Sequence, residues 1–380
     1  HLIVGIDATR NRSGGAKSHL IGILNNANPS DYGIHEVHVW AYKALLDMLP
    51  DYSWLKKHHS TSLEKSLFYQ ILWQIFVLPK KVKDFKCDIF LNTDAGSLSA
   101  ITPVVTMSRD MLSYEPGEIE RYGWSKSRLR LYLLRFVQNR SLSRSNGVIF
   151  LTKYAAKVIQ KSCGNLKNIG LIPHGVGNNF LNTNSSQRDF HKTNKPIKLL
   201  YVSNADLYKH QWKVIEAAEL LMQMGKDIEL TIVGGGSGLA YKKMLDQKNI
   251  SDPENKFIFL KEFVPQSELP DFLSDADIFV FASSCENMPN TLLEAMAVGL
   301  PIACSNRGPM PEVLDDGGVY FNPEDSLSIA NAVKILIEDS KLRSSLAVRS
   351  KVLAGKYSWE RCAKETWNYL AKISKEFKGI

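Results

Sequence analysis

Short apolar runs alternate with helix-length segments along the whole chain, and they do so in two successive series. In the first, residues 2–6, 37–42, 89–92, 104–107 and 147–151 read as buried strands, with 169–174 a further candidate. Helical patterns lie between them, notably 16–24, 63–77 and 126–140. An Asn/Ser/Thr-rich stretch running to about Asn194 then interrupts the pattern. In the second series, strands are expected at 198–203, 229–233, 257–260, 278–282 and 301–305, and helices at 211–224, 239–247, 268–273 and 291–298. Residues 360–377 form one last amphipathic helix. Strands alternating with helices demand a parallel sheet covered on both faces. Two such series predict two doubly wound α/β domains, with ligands outside the carboxyl ends of the strands.

Composition narrows the class. With 44% apolar and 23% charged residues over 380 positions, the chain is globular and long enough for two cores. The net charge of +8 favours anionic partners such as nucleotide phosphates or acidic lipid headgroups. Nucleic acid is not expected, because no nucleic-acid-binding motif accompanies the charge. The five cysteines, Cys87, Cys163, Cys285, Cys304 and Cys362, contain no C-x-x-C pair, which argues against a disulfide framework or zinc ribbon and suits a reducing compartment. No apolar run reaches membrane-spanning length, and Leu2 already stands inside a strand pattern, so the sequence is read as cytoplasmic and without a signal peptide.

The strongest chemical signal runs from Ser284 to Pro301. Glu286 falls in a loop after a strand, and Glu294 falls early in the next helix, with Met288, Asn290 and Thr291 around the helix start. Unpaired N–H groups there make an anion site, and two flanking carboxylates suit a ligand that combines phosphate with sugar hydroxyls. Spacing alone is equally compatible with a surface acid and a first-turn acid that favours the helix dipole.

Glu286 and Glu294 match the E-x7-E motif of retaining glycosyltransferase family four, which has the GT-B fold. The chain resembles that family elsewhere too: in Thr291 to Pro301, in Gly308, Glu312 and Gly318, in Tyr201 to Lys209, in Pro173 to Val176 with Phe180, in Gly14-Gly15, and in Tyr357 to Trp359. The resemblance implies two facing Rossmann-like domains, with boundaries drawn at 1–180, 181–358 and 359–380, the last segment a helix that packs back on the first domain. It implies that Glu286 contacts the transferred sugar, Glu294 binds the ribose, and Lys209 neutralises the diphosphate of a UDP- or GDP-sugar donor. Gly14 and Gly15 would approach the donor through backbone, and Phe263 and Val264 would hold the nucleobase. Asn204 stands where many relatives carry arginine. Arg109 stands at a histidine position and is assigned to acceptor or membrane contact, with Asp110 keeping the acid beside it, either toward substrate or as a turn cap. The wording around residues 203–212 and 284–290 is most like bacterial O-antigen and capsule enzymes, with a lean toward GDP-mannose.

Two motifs are read as decoys. Asp275-Ala276-Asp277 spells the metal-binding D-x-D of other glycosyltransferases, but it falls at a helix end and strand entry, so no metal or other cofactor is expected. Gly234 to Gly238 follows a strand, but Leu239 occupies the place of the third fingerprint glycine, so a tight turn is expected. Basic residues mix with apolar ones in two places, Lys80 to Lys86 beside 67–78, and Arg128, Arg130 and Arg135 within 126–144. This pattern predicts a peripheral membrane contact or a solvated helix face, and a saccharide acceptor that is lipid-linked. A non-catalytic subunit of a polysaccharide assembly complex and a nucleotide-sugar epimerase are the other readings of the same fold.

Overall fold

The computed structural model describes residues 1–186, 188–190 and 194–379. Gln187 and His191 to Thr193, within the Asn/Ser/Thr-rich stretch, lie outside the described residues. The chain forms two compact units, His1–Gly175 with Ser358–Ile380, and Val176–Tyr357. The changeovers therefore fall at 175/176 and 357/358, where the sequence boundaries were drawn after 180 and 358. Residues after 175 are tied into the second unit: Ser185 donates from its N–H to Val298 O (3.0 Å) and from its hydroxyl to Gly299 O (2.7 Å).

Among its described residues the first unit holds seven strands: β1 Leu2–Asp7, β2 Ile34–Trp40, β3 Leu55–His58, β4 Ile89–Asn92, β5 Val104–Met107, β6 Gly147–Phe150 and β7 Ile169–Leu171. They pair in the order β3-β2-β1-β4-β5-β6-β7, all parallel. The central strands β4, β5 and β6 are buried at every position, which is why they read as unbroken apolar runs. The helix expected from residue 63 begins at Leu67, after a separate 3-10 turn at Thr61–Glu64.

The helix Trp359–Lys378 completes this unit. Its apolar stripe, including Trp367, Leu370 and Ile373, is buried, and it packs on the helix Gly14–Asn25 and on β4. Two glycines make the seat for Trp359: a Cβ at Gly22 would lie 2.4 Å from its ring, and one at Gly175 would lie 2.3 Å from its backbone N. Farther along, Val148 N–H donates to the Tyr369 hydroxyl (3.1 Å), and Lys378 pairs with Asp88 (2.5 Å).

Among its described residues the second unit has six strands, β8 Ile197–Val202, β9 Ile228–Val233, β10 Ile258–Lys261, β11 Ile278–Phe281, β12 Ile302–Ser305 and β13 Val319–Phe321. Their order is β10-β9-β8-β11-β12-β13, again all parallel. From β8 the chain proceeds to one side of the sheet and from β11 to the other, so the strand order reverses between them. The same reversal occurs between β1 and β4 in the first unit. Each sheet thus opens a crevice at the carboxyl ends of one named strand pair.

Candidate active site

In the second unit, the loops that leave β8 and β11 carry the residues singled out by sequence. Asp206 caps the short turn Leu207–Lys209 by accepting from Leu207 N–H (2.8 Å), and the Tyr201 hydroxyl donates to Lys209 O (2.8 Å). His210 takes the left-handed conformation (φ 51°), which breaks the turn and starts the helix Gln211–Gln223. Its Nε2 lies 2.8 Å from Ser284 Oγ, and Ser284 N–H donates to Tyr208 O (2.8 Å). The two loops are therefore stitched together on both sides of Lys209. The consequence is an ion pair between the Lys209 ammonium and the Glu286 carboxylate, each side chain only 15% exposed. The ammonium also lies 5.1 Å from the Tyr208 ring centroid and 5.8 Å from that of Phe281.

The helix Asn290–Val298 follows at once. Pro289 stands at its cap position and supplies no side-chain hydrogen bond, and the Asn290 N–H donates to Met288 O (3.0 Å). Met288 is buried beneath this start, and Asn290 and Thr291 are partly exposed at it. Glu294 lies one turn in and accepts from Gln266 Nε2 (3.0 Å). Burial raises its carboxyl pKa to about 7, against which the Gln266 bond acts only partly. Gln266 belongs to the loop after β10, the loop that exposes the Phe263 ring and buries Val264. Sequence reasoning missed Gln266 and His210; neither stands in a spacing that announces a partner 28 or 74 residues away.

The glycine run after β9 supports this loop cluster. Gly234 has φ 135°, and a Cβ there would lie 2.0 Å from Ser203 O. Ala205 N–H donates to Gly235 O (3.0 Å), so the run is a tight turn against the segment that contains Asn204. Asn204 is exposed, and its backbone carbonyl accepts from Gln211 Nε2 (2.9 Å). The D-x-D acids point elsewhere. Asp277 takes Arg188 through both oxygens (3.1 and 2.5 Å) and the Lys198 N–H (2.8 Å), while Asp275 pairs with Lys198 Nζ (2.7 Å).

The first unit gathers a different set at the carboxyl ends of β1, β4 and β5. Asp7 accepts from Thr9 N–H (3.0 Å), Thr9 Oγ1 (2.6 Å) and Gln74 Nε2 (2.6 Å), and burial raises its pKa. Gly14 and Gly15 open the helix Gly14–Asn25, which Ser13 caps through Ala16 N–H (3.2 Å); a Cβ at Gly14 would meet nothing within 4 Å. Asp110 accepts from Leu112 N–H (3.1 Å), Ser113 Oγ (3.2 Å) and Gln138 Nε2 (3.3 Å), the arrangement of a turn cap, and burial raises its pKa. Arg109 lies beside it, with Nη1 3.4 Å from Thr93 O. Arg128, Arg130 and Arg135 are not part of this group. They stand on the helix Lys126–Arg144, where Arg128 lies over the Trp124 ring (4.9 Å) and Arg135 over the Tyr132 ring (5.1 Å).

Comparison with known proteins places this geometry. Residues 183–352 match the family described as glycosyl transferases group 1. The chain is 34% identical over 106 residues to the O-antigen chain mannosyltransferase B of Escherichia coli, covering 28% of each chain. It is 31% identical over 169 residues to the amylovoran biosynthesis glycosyltransferase AmsK of Erwinia amylovora, covering 42% of this chain and 40% of the relative. The matches to these curated relatives thus span well under half of their lengths. The crystal structure of Anabaena Alr3699/HepE in complex with UDP and glucose shares the fold over 100% of both chains, with a TM-score of 0.71 at 17% identity. Residues 183–352, which carry Lys209, Glu286 and Glu294, thus match the glycosyl transferases group 1 family, and the chain is built on the GT-B fold.

Proposed function

We propose that the protein transfers a hexose, with retention of anomeric configuration, from a nucleoside diphosphate sugar to a growing saccharide in bacterial polysaccharide assembly. The observation that carries this reading is the Lys209–Glu286 pair at the strand-order reversal of the second unit. An ammonium and the start of the helix Asn290–Val298 are suited to an incoming diphosphate, and the carboxylate beside the ammonium is suited to sugar hydroxyls. Glu286 is assigned to the transferred sugar, Glu294 to the ribose, and the loop of Phe263 and Val264 to the base. Gly14 and Gly15 are assigned to the donor as well, and Asp110 to orientation of the reacting groups through its turn.

The likeness to an O-antigen mannosyltransferase supports GDP-mannose as donor, and the UDP complex of a fold neighbour makes UDP-sugars the next to test. No metal takes part in this reading, since the D-x-D acids are held by Arg188 and Lys198. The acceptor is lipid-linked and met at a cytoplasmic membrane surface, with no role for nucleic acid. No helix among the described residues is long and apolar enough to cross a membrane. Contact would instead come from the helix Lys126–Arg144 and the neighbouring Trp124, whose ring is 98% exposed, together with exposed Leu129, Leu133 and Phe136. The test is a panel of GDP- and UDP-sugars, assayed with and without a lipid-linked acceptor. Acceptor-dependent release of GDP or UDP with sugar incorporation supports the reading. Interconversion of donors without acceptor, or no turnover with any donor, overturns it in favour of an epimerase or a non-catalytic subunit.

A further inference from the structure

Arg109 is a partly buried cation that, although Asp110 follows it in sequence, has no ion-pair partner among the described residues. It stands two residues past β5, at the carboxyl edge of the seven-stranded sheet. Burial lowers its guanidinium pKa to about 10, a mark of how little surrounds the charge to stabilise it. Among the described residues its hydrogen bonding is limited to Thr93 O at 3.4 Å, and no carboxylate lies within 4.0 Å of it. Asp94 is the acid whose field reaches it, yet that carboxylate accepts Gly96 N–H at 2.6 Å. On another side is His19, fully buried, with no hydrogen-bond partner for either ring nitrogen and held neutral by burial. A second guanidinium, that of Arg10, is fixed to the same loop through Gly96 O (3.1 Å).

A half-buried guanidinium without a counter-charge destabilises the fold that holds it. Its planar fork offers several donors at the geometry of an oxyanion, and most of them have no partner. We propose that Arg109 is the anchor of an oxyanion site in the first unit and takes a phosphate or diphosphate ester. The source of that group, acceptor or donor, rests on the glycosyltransferase reading; the anion site itself does not.

The full-length chain tests this in a Lys209→Ala background, which silences the ammonium of the second unit. Binding of inorganic pyrophosphate is measured by calorimetry for that variant, with and without Arg109→Gln or Arg109→Lys. Expected are a loss of at least tenfold with Gln and a smaller loss with Lys. Thermal melting of Arg109→Gln alone separates the roles: an anion anchor leaves the midpoint unchanged or higher, whereas a structural arginine lowers it. Unchanged pyrophosphate affinity, or a lower midpoint with unchanged affinity, overturns the proposal. Kinetics then identify the source. A raised KM for a lipid-diphosphate saccharide, but not for the neutral alkyl glycoside of the same saccharide, assigns the group to the acceptor; a raised KM for donor alone assigns it to the donor. If no sugar transfer occurs at all, the glycosyltransferase reading fails while the pyrophosphate result still decides on Arg109.

Discussion

The Lys209 ammonium and the Glu286 carboxylate, 77 residues apart in sequence, neutralise each other at the mouth of the second sheet. A diphosphate that enters must share that ammonium with the carboxylate. Glu286→Ala is therefore expected to lower kcat by about 100-fold or more, since a contact to the reacting sugar is removed. The same variant should bind free GDP or UDP as well as or better than the parent, because Lys209 is released. Weaker nucleotide binding by calorimetry would refute this division of labour.

The proposed ribose role of Glu294 would link donor affinity to pH. Its pKa is raised to about 7 by burial, so the carboxylate forms only as pH rises through neutrality. In the proposed ribose role the hydroxyls would donate to the ionised form, and donor KM is then expected to fall between pH 6 and pH 8. The stability sign is opposite: a raised carboxyl pKa means the folded state holds the extra proton, so this group favours folding below about 4.5 and loses that advantage as pH climbs toward 7. Glu294→Gln should flatten the KM profile and raise KM at pH 8. A profile of unchanged slope in that variant removes Glu294 from the ribose site.

Asp277 is expected to be structural. Its side chain is 5% exposed and holds Arg188, itself 19% exposed, together with the Lys198 N–H. Asp277→Asn should cost about 3 kcal/mol in chemical denaturation, the order expected when one member of a buried pair is removed. Asp275→Asn, on an exposed pair, should cost less than about 1 kcal/mol. Activity per folded molecule should survive both changes and also EDTA. Loss with EDTA that manganese restores would return these acids to a metal site.

Acid should loosen the first unit before it affects the second. His38 Nδ1 lies 2.8 Å from His58 Nε2, a bond that requires one ring to remain unprotonated at the shared edge. Burial lowers the His58 pKa to about 4, and burial lowers that of His19 as well. A depressed histidine pKa means the unfolded chain takes up protons first, so stability present above about 6.5 is lost as pH falls toward 4. His58→Asn should reduce the slope of melting temperature against pH in that window. An equal slope in parent and variant would assign acid lability elsewhere.

Membrane contact should have a salt-sensitive part and a salt-resistant part. Arg128, Arg130 and Arg135 supply the first, each adding roughly 1 kcal/mol near an anionic surface. Trp124, Leu129, Leu133 and Phe136 supply the second by burial of exposed apolar surface. Co-sedimentation with anionic vesicles is expected at low salt and should weaken at high salt. Arg128→Glu, Arg130→Glu and Arg135→Glu combined should abolish it without changing nucleotide affinity, and Trp124→Ser with Phe136→Ser should remove what persists in salt. A parent protein that stays in the supernatant at low salt makes this an ordinary solvated helix.

The fold was legible because strands such as Phe279 to Phe281 are covered on both faces and cannot be anything but apolar. Legibility failed where burial is one-sided or short. β3 buries only Leu55 of Leu-Lys-Lys-His at the sheet edge, and β13 spans three residues, two of them only partly buried. Three helices, Lys153–Cys163, Ser326–Glu338 and Ser340–Ala354, also went unread; the last buries Arg343 and Ser350 while exposing Val348 and Val352, so its apolar pattern is blurred. In the site, Glu286, Glu294 and Lys209 were visible through motif spacing. That Lys209 meets Glu286, that Gln266 reaches Glu294, and that Arg109 makes no ion pair among the described residues depend on strand order and loop approach, which no local pattern encodes.

The glycine seat for Trp359 fixes an order of events during synthesis. The first unit is the first to leave the ribosome, yet its sheet lacks the covering helix until residues 359–378 have been made. The second unit, contiguous from Val176 to Tyr357, has its whole sequence available sooner. The earlier-begun of the two units is thus the later to be finished, and in the interval it waits with the faces of Gly22 and Gly175 uncovered, a period in which a nascent-chain chaperone has something to hold.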